Sequence, residues 1–335
     1  MKLTKYIISM AFLLLALNAC DTEPEALDLQ PLKEYSEEYY QALRDYKKSN
    51  HEICYVYYAD WAPIEGASGY KDPASWGERI IGLPDSIDIV NLWMGIPTPE
   101  THPVAYQDMI ETRDKKGTRF VFHADASNYN HRFTIGGRNY DLSSDRSEEA
   151  IRAYARWVCD TVIKTGLDGA DFDYEGWNGQ HLTWAIDECD KVFGPNGPHP
   201  EKLVIVDYFS VSPPTACDPW VDYYVKQAYS QQGAGVGAMG HPDEKTVYCE
   251  SFGQKPTGGE ILNYAAWEPE TGHKGGCGAY YVERNYYNTS DGVPYGAIRR
   301  AIQIMNPAKQ GGVRNYEIDT KYYWSLFAGI GYGCL

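Results

Sequence analysis

The chain has 335 residues, a formal net charge of −16 and 43% hydrophobic residues, enough for one large barrel or two modest domains with a sizeable core. The acidic balance argues against nucleic acid and against an anionic membrane surface as partners, since both would repel it. Aromatic residues make up 14%, with 29 Tyr and 9 Trp; their flat faces and polar tips suit sugar rings as well as ordinary packing.

Lys2 and Lys5 open the chain, and an apolar run follows from Tyr6 to Leu17. The run is too short to cross a bilayer comfortably and has the form of a targeting segment. It ends in Leu17-Asn18-Ala19-Cys20, which resembles the lipobox of bacterial lipoproteins. That resemblance implies that Cys20 carries lipid and anchors the protein to a membrane of the cell envelope, the outer membrane, with the face left open. A plain secretory leader with an incidental Cys is the alternative. Residues 1–20 are thus read as a leader, 21–33 as a flexible acidic tether, and 34–335 as the folded domain.

Glu34 to Lys48 is expected to form a polar, Tyr-rich helix. A rhythm of strands and helices follows. Ile53 to Tyr58 reads as a strand, Ala74 to Ile81 as helical, and Ile87 to Trp93 as a second strand. Val104 to Lys116 is a helix stopped by Gly117. Arg119 to His123 is a third strand. Ser147 to Lys164 is the clearest helix, with Ser147 as its cap, Glu148 and Glu149 in the first turn, and Gly166 as its end.

Leu167 onward gives a fourth strand, then a helix from Trp184 to Phe193. Leu203 to Tyr208 is a fifth strand, an unbroken apolar run of the kind found in parallel sheets covered on both faces. Tyr223 to Tyr229, Thr246 to Cys249 and Gly278 to Glu283 complete the set. Helices are expected around Glu260 to Trp267 and from Gly296 to Met305. Ser210 to Pro219 reads as a loop. Eight strands mostly alternating with helices point to an α/β fold, a single-domain (β/α)8 TIM barrel. The rival is a doubly wound sheet, and no Gly-rich phosphate loop follows the first strand to support its nucleotide-binding form.

Of the eight cysteines, lipidation of Cys20 would leave seven, so at least one stays free or pairs between chains. None forms a CxxC pair. Cys54 and Cys249 fall in strands, Cys159 and Cys189 in helices, and all are read as structural. No His, Asp or Glu cluster calls for a metal, and no cofactor is expected.

The fourth strand carries the chemistry. Asp171, Asp173 and Glu175 alternate with Ala170, Phe172 and Tyr174, so the acids share one face of the strand. A row of buried acids carries desolvation and like-charge penalties, which points to a use for it. The stretch Asp168-Gly169-Ala170-Asp171-Phe172-Asp173-Tyr174-Glu175 is similar to the DGxDxDxE signature of glycoside hydrolase family 18. That family holds chitinases and endo-β-N-acetylglucosaminidases on (β/α)8 barrels.

The resemblance implies that Glu175 is the general acid and then the base. It implies that Asp173 holds the 2-acetamido N–H of the substrate while Asp171 tunes Asp173 from below. The nucleophile is then the substrate's own acetamide oxygen, and the outcome is retention. On the sixth strand Gln227 and Tyr229 lie two residues apart. Many family chitinases have M-x-Y-D there; Gln227-Ala228-Tyr229-Ser230 looks instead like the Q-x-Y of endo-β-N-acetylglucosaminidases that cut the N-glycan core. Tyr229 would then donate to the acetamide oxygen.

Further candidates for sugar contact are Trp177, beside Glu175, Trp93 at the end of the second strand, Tyr280 in the eighth, and Glu283 and Asn285 beyond it. Core or loop packing is an equal alternative for each, and also for His123 and Asp125. The loops Trp61 to Trp76 and Asn128 to Ser144 are expected to set which glycan is taken. The reading is therefore an enzyme on N-acetylglucosamine-containing glycans or glycoproteins. A chitinase-like hydrolase and a non-catalytic glycan-binding protein on the same fold are the alternatives.

Overall fold

The computed structural model describes residues 32–59 and 76–307. The leader, Cys20, the tether up to residue 31, residues 60–75 and Cys334 lie outside the described residues. The first element is helix α1, Glu37–Lys48, whose N-terminal N–H of Tyr39 is taken up by the Ser36 hydroxyl. Strands β1 (Ile53–Tyr57), β2 (Ile89–Leu92) and β3 (Arg119–Asp125) follow, with helix α2 (Pro103–Lys116) between the last two. A hairpin of β4 (Arg132–Ile135) and β5 (Arg138–Asp141) comes next. Then come α3 (Glu148–Thr165), β6 (Gly169–Tyr174), α4 (Gly179–Phe193), β7 (Leu203–Tyr208) and β8 (Tyr223–Gln227). The chain continues through β9 (Thr246–Ser251), α5 (Ile261–Ala266), β10 (Gly276–Tyr280) and α6 (Gly296–Met305).

Eight of these strands close into a barrel in the order β1-β10-β9-β8-β7-β6-β3-β2, with β1 paired in parallel to both β10 and β2. The barrel expected from the rhythm of the sequence is therefore the fold, and the open doubly wound sheet is ruled out. The acidic strand is β6, fourth around the barrel in chain order, between β3 and β7.

Helix ends follow from local chemistry. On α3, Ser147 accepts from the N–H of Ala150, Glu148 and Glu149 lie in the first turn, and Gly166 turns left-handed at φ 69° to end it; acids at the start of a helix favour its dipole. The core has two parts. Ile53, Tyr55, Tyr57, Ile89, Val121, Ile205, Val225, Val247 and Cys249 fill the barrel interior. Val56, Phe120, Ala170, Phe172, Tyr174 and Val206 point outward and pack under the helices. The period of two along each strand thus sends Asp171 and Asp173 inward and their apolar neighbours outward, as the alternation requires.

Several expectations are corrected. The segment read as a helix from Ala74 to Ile81 is, where described, two 3-10 turns, Trp76–Glu78 and Ile80–Gly82. Gly77 and Gly82 weaken a helix there, and Pro84 stops it. The loop Asn128 to Ser144 contains the β4–β5 hairpin, turned at Gly136 and Gly137, both with positive φ; paired glycines favour a tight hairpin turn. The sixth barrel strand ends at Gln227, so Tyr229 lies beyond it. The eighth starts at Gly276 and ends at Tyr280, because Tyr281 adopts φ 56° and breaks the extended run before the turn Val282–Asn285. No α-helix follows β7 or β8 among the described residues; 3-10 turns stand there instead.

Candidate active site

The site sits at the C-terminal ends of the strands, where barrels of this type open. Gly169 starts the strand that carries it. A Cβ there would lie 2.4 Å from the carbonyl oxygen of Leu203, so only glycine lets β6 and β7 pair at this register. The carboxylate of Asp168 accepts from the backbone N–H of Phe120 at 2.8 Å and ties the start of β6 to β3. These contacts give the first two positions of the motif structural jobs.

Asp171 is fully buried. Its Oδ2 accepts from Tyr55 Oη at 2.5 Å, Asn91 Nδ2 at 2.7 Å and Tyr57 Oη at 3.3 Å. Burial pushes its carboxyl up to about 6, and the hydrogen bonds from Tyr55, Asn91 and Tyr57 oppose that rise. Asp173, one step nearer the mouth, is pushed up to about 8. Burial is the main cause, and the charges of Glu175, Asp171 and Asp125 add to it. Asp173 therefore holds a proton at neutral pH in the unliganded site. Glu175 follows the last residue of β6 and is exposed.

His123 on β3 places Nε2 3.7 Å from Asp173 Oδ2. This is no ion pair at neutral pH. Burial lowers the imidazole to about 4 while Asp173 is raised, so both partners are neutral. Gln227 comes from β8, two strands along the barrel from β6, and its Nε2 lies 3.5 Å from Asp173 Oδ1 and 3.3 Å from Asp207 Oδ2. The fold thus brings Asp171, Asp173 and Gln227 into one cluster, with Glu175 at its outer end.

An aromatic wall lines the mouth. The Tyr229 ring lies 5.9 Å from Phe209 and 5.9 Å from Tyr280, and burial pushes its hydroxyl well above its usual range, so it stays a donor. Tyr280 meets Trp93 edge to face at 5.0 Å and Tyr281 at 4.4 Å. Trp93 and Tyr280 are half-buried, so each keeps surface open to a ligand.

Four softer candidates are corrected. Trp177 is only 4% exposed; its indole N–H donates to the carbonyl of Asn128 and its ring stacks on Tyr129. It packs the loop after β3 against α3 and forms no platform at the rim. Asn285 is fully buried and holds backbone, donating to the carbonyls of Pro256 and Asn288 and accepting from the N–H of Ala297. Glu283 is buried in its 3-10 turn and takes the N–H of Ala59 at 3.4 Å. Asp125 is occupied by Ser127 and Asn128, which it orders through hydrogen bonds of 2.6 to 2.7 Å.

Sequence reasoning missed Tyr55, Tyr57, Asn91 and Asp207. Each is a polar residue on the inward face of a strand that otherwise reads as apolar. Tyr55 and Tyr57 share a face two residues apart, the same signal that exposed the acids.

Comparison with known proteins gives the family and the fold. A profile of glycoside hydrolase family 18, BT1044-like, matches residues 20–240. Endo-β-N-acetylglucosaminidase F2 of Elizabethkingia meningoseptica is 27% identical over 305 residues, covering 78% of this chain and 84% of that protein. Among solved structures, BT1044 superposes with a TM-score of 0.62 at 20% identity, over 82% of this chain and 94% of that one. An endo-β-N-acetylglucosaminidase from Cordyceps militaris gives 0.59 at 20% identity, over 82% and 98%. At that identity the two structures speak for the fold alone.

Proposed function

The chain belongs to glycoside hydrolase family 18, and from that premise we propose that it is a retaining endo-β-N-acetylglucosaminidase cutting the GlcNAc-β1,4-GlcNAc core of N-glycans. The observation that carries this reading is the Gln227 amide at 3.5 Å from Asp173, two residues before Tyr229 at the barrel mouth. It supports a pocket shaped for an acetamide, with an acceptor at Asp173 and a donor at Tyr229. The similarity to endo-β-N-acetylglucosaminidase F2 supports the N-glycan over chitin.

Glu175 donates its proton to the glycosidic oxygen as the C1–O bond breaks. The acetamide carbonyl oxygen attacks C1 and closes an oxazolinium ring, so no enzyme carboxylate attacks the sugar. Asp171 and Asp207 are too deeply buried for that role. The proton Glu175 gives is the one Asp173 passed to it when substrate bound, and Asp173, left as a carboxylate, accepts the acetamide N–H. That hydrogen bond strengthens as positive charge grows on the ring, which places its benefit in the transition state. Glu175, now a carboxylate, takes a proton from water as that water opens the ring, and two displacements at C1 give retention. Holding the nucleophile inside the substrate removes the entropy cost of a second encounter.

The test is incubation with a native N-glycoprotein and, separately, with chitin oligomers, followed by mass spectrometry. Polypeptide left with one N-acetylglucosamine on Asn is expected, and no such product from Glu175→Gln. Cleavage of the chitin oligomers alone would overturn the reading in favour of a chitinase. Binding without cleavage would overturn it in favour of a glycan-binding protein. The enzyme is further proposed to act from the cell envelope, tethered by lipid on Cys20; Cys20→Ser is expected to move it from the membrane fraction to the soluble one, and an unchanged distribution contradicts the anchor.

A further inference from the structure

Asp207 has no part in the mechanism above, yet it is the most unusual acid in the barrel. It lies on β7, is 2% exposed, and faces Asp173 directly in the β6–β7 register. Its Oδ2 accepts from Tyr57 Oη at 2.7 Å and from Gln227 Nε2 at 3.3 Å. No donor among the described residues reaches its Oδ1.

We propose that Asp207 is a permanently protonated positioning residue whose carboxylic O–H donates to Asp173 and whose other oxygen fixes the Gln227 amide. The proposal rests on the reading of Asp173 given above.

Four observations support it. First, Tyr57 Oη stands between Asp171 Oδ2 and Asp207 Oδ2, at 3.3 and 2.7 Å. A phenol has one proton to donate, so two buried carboxylates cannot both be anions satisfied by it. Second, with the Tyr57 proton on the nearer Asp207, Asp171 keeps Tyr55 at 2.5 Å and Asn91 at 2.7 Å while Asp207 has Tyr57 at 2.7 Å and Gln227 at only 3.3 Å; the shorter pair favours the charge on Asp171. Third, Oδ1 of Asp171 and Oδ1 of Asp207 both lack a donor, a costly arrangement for two anions; a proton on Asp207 Oδ1 relieves one of them and makes it a donor beside Asp173. Fourth, Asp173 and Asp207 stand side by side on the same inward face of neighbouring strands, so Asp173 is the acceptor set beside a proton on Asp207.

The charged and titratable neighbours agree. Asp207 faces Tyr55 and Tyr57 on β1, Asp171 and Asp173 on β6, Gln227 and Tyr229 at the end of β8, and Cys249 on β9. None of these is a cation. Burial first, then the charges of Asp171 and Asp173, push the Asp207 carboxyl well above its ordinary range.

The consequence is specific. When Asp173 hands its proton to Glu175, a negative charge appears in a buried site. A neutral donor already aimed at Asp173 meets that charge without any reorganisation. The proton on Asp207 does not leave; it remains covalently on Oδ1 throughout, and the transferred proton is that of Asp173.

The experiment uses the intact protein with its aspartate Cγ atoms labelled with carbon-13. Through-bond correlation assigns the Asp207 resonance in the wild type, so the result does not depend on any variant folding or on any substrate being right. The expected result is an Asp207 carboxyl that stays protonated at pH 7. An ionised Asp207 at pH 7 overturns the proposal. In parallel, the pH–rate profile for glycan release is measured for Asp207→Asn and Asp207→Leu. Asn mimics the protonated acid and is expected to keep kcat within about threefold with the alkaline limb in place, since the proton whose loss ends activity is that of Asp173 and a neutral donor still faces it. Leu is expected to lose kcat by about 100-fold or more. An Asn variant as inactive as the Leu variant, or one with a displaced alkaline limb, overturns the proposal. Failure of wild-type enzyme to release any glycan overturns the substrate reading and leaves the NMR result intact.

Discussion

Asp173 shows how function and stability pull against each other in one side chain. Its carboxyl is held near 8 in the folded protein, against about 4 for a free Asp. Between those values the folded state binds a proton that the unfolded chain has lost. Stability from this group is therefore fully present below about pH 4 and falls as pH rises through 8. Asp173→Asn removes that loss. The variant is expected to melt higher than wild type at pH 8, by more than at pH 4, while turnover falls by about 100-fold or more. Calorimetry at the two pH values checks it, and an equal Tm difference at both contradicts the assigned protonation. The acids of the motif were legible as a set because they alternate with apolar residues. Their partners were not, because Asn91, Tyr55, Tyr57 and Asp207 gain meaning only when distant strands close. A lone Asp in the apolar run Leu203 to Tyr208 looks like noise until Asp173 and Gln227 are placed beside it. Trp177 failed in the opposite direction: lying two residues from Glu175 suggested a shared surface, but the strand ends at Tyr174, and the indole turns to the loop after β3, where it donates to the carbonyl of Asn128.

At the level of elements, the sequence was most readable where periodicity and caps agreed. The helix α3 carries both signals, a Ser start and a Gly end, and the expected bounds of Ser147 to Lys164 lie within one residue of those observed. The segment from Ala74 to Ile81 has helical composition but contains Gly77, and its described residues, from Trp76 on, form short turns. The strand β6 meets β7 most tightly at its start. Gly169→Ala drives a Cβ to 2.4 Å from the carbonyl oxygen of Leu203, and this is expected to cost about 2–3 kcal/mol of stability. Because the displaced strand also carries Asp171 and Asp173, activity is expected to fall beyond what the unfolded fraction explains. A urea midpoint unchanged from wild type contradicts this account of why the motif begins with Asp-Gly.

Across the whole molecule, one barrel organises chemistry from six of its strands. β1 supplies Tyr55 and Tyr57, β2 Asn91, β3 His123, β6 the acids, β7 Asp207 and β8 Gln227. Closure at the opposite end is secured by Lys274, buried before β10, whose Nζ bonds to Glu52 before β1 at 2.7 Å and to the carbonyl of Ala265 at 2.9 Å. The count of strands made the barrel readable from the sequence. Its uneven outer layer, with 3-10 turns after β7 and β8, was readable only as a weak rhythm, because loops without periodicity carry no pattern to count. The central claim is that a substrate acetamide, held between Asp173 and Tyr229, is the nucleophile and Glu175 the acid–base. Proton NMR of a homogeneous N-glycopeptide during cleavage tests it most directly. The expected result is a new reducing-end H1 that appears first as the β-anomer and then equilibrates to α. An α-anomer appearing first would contradict two displacements at C1, and with them the role assigned to Asp173.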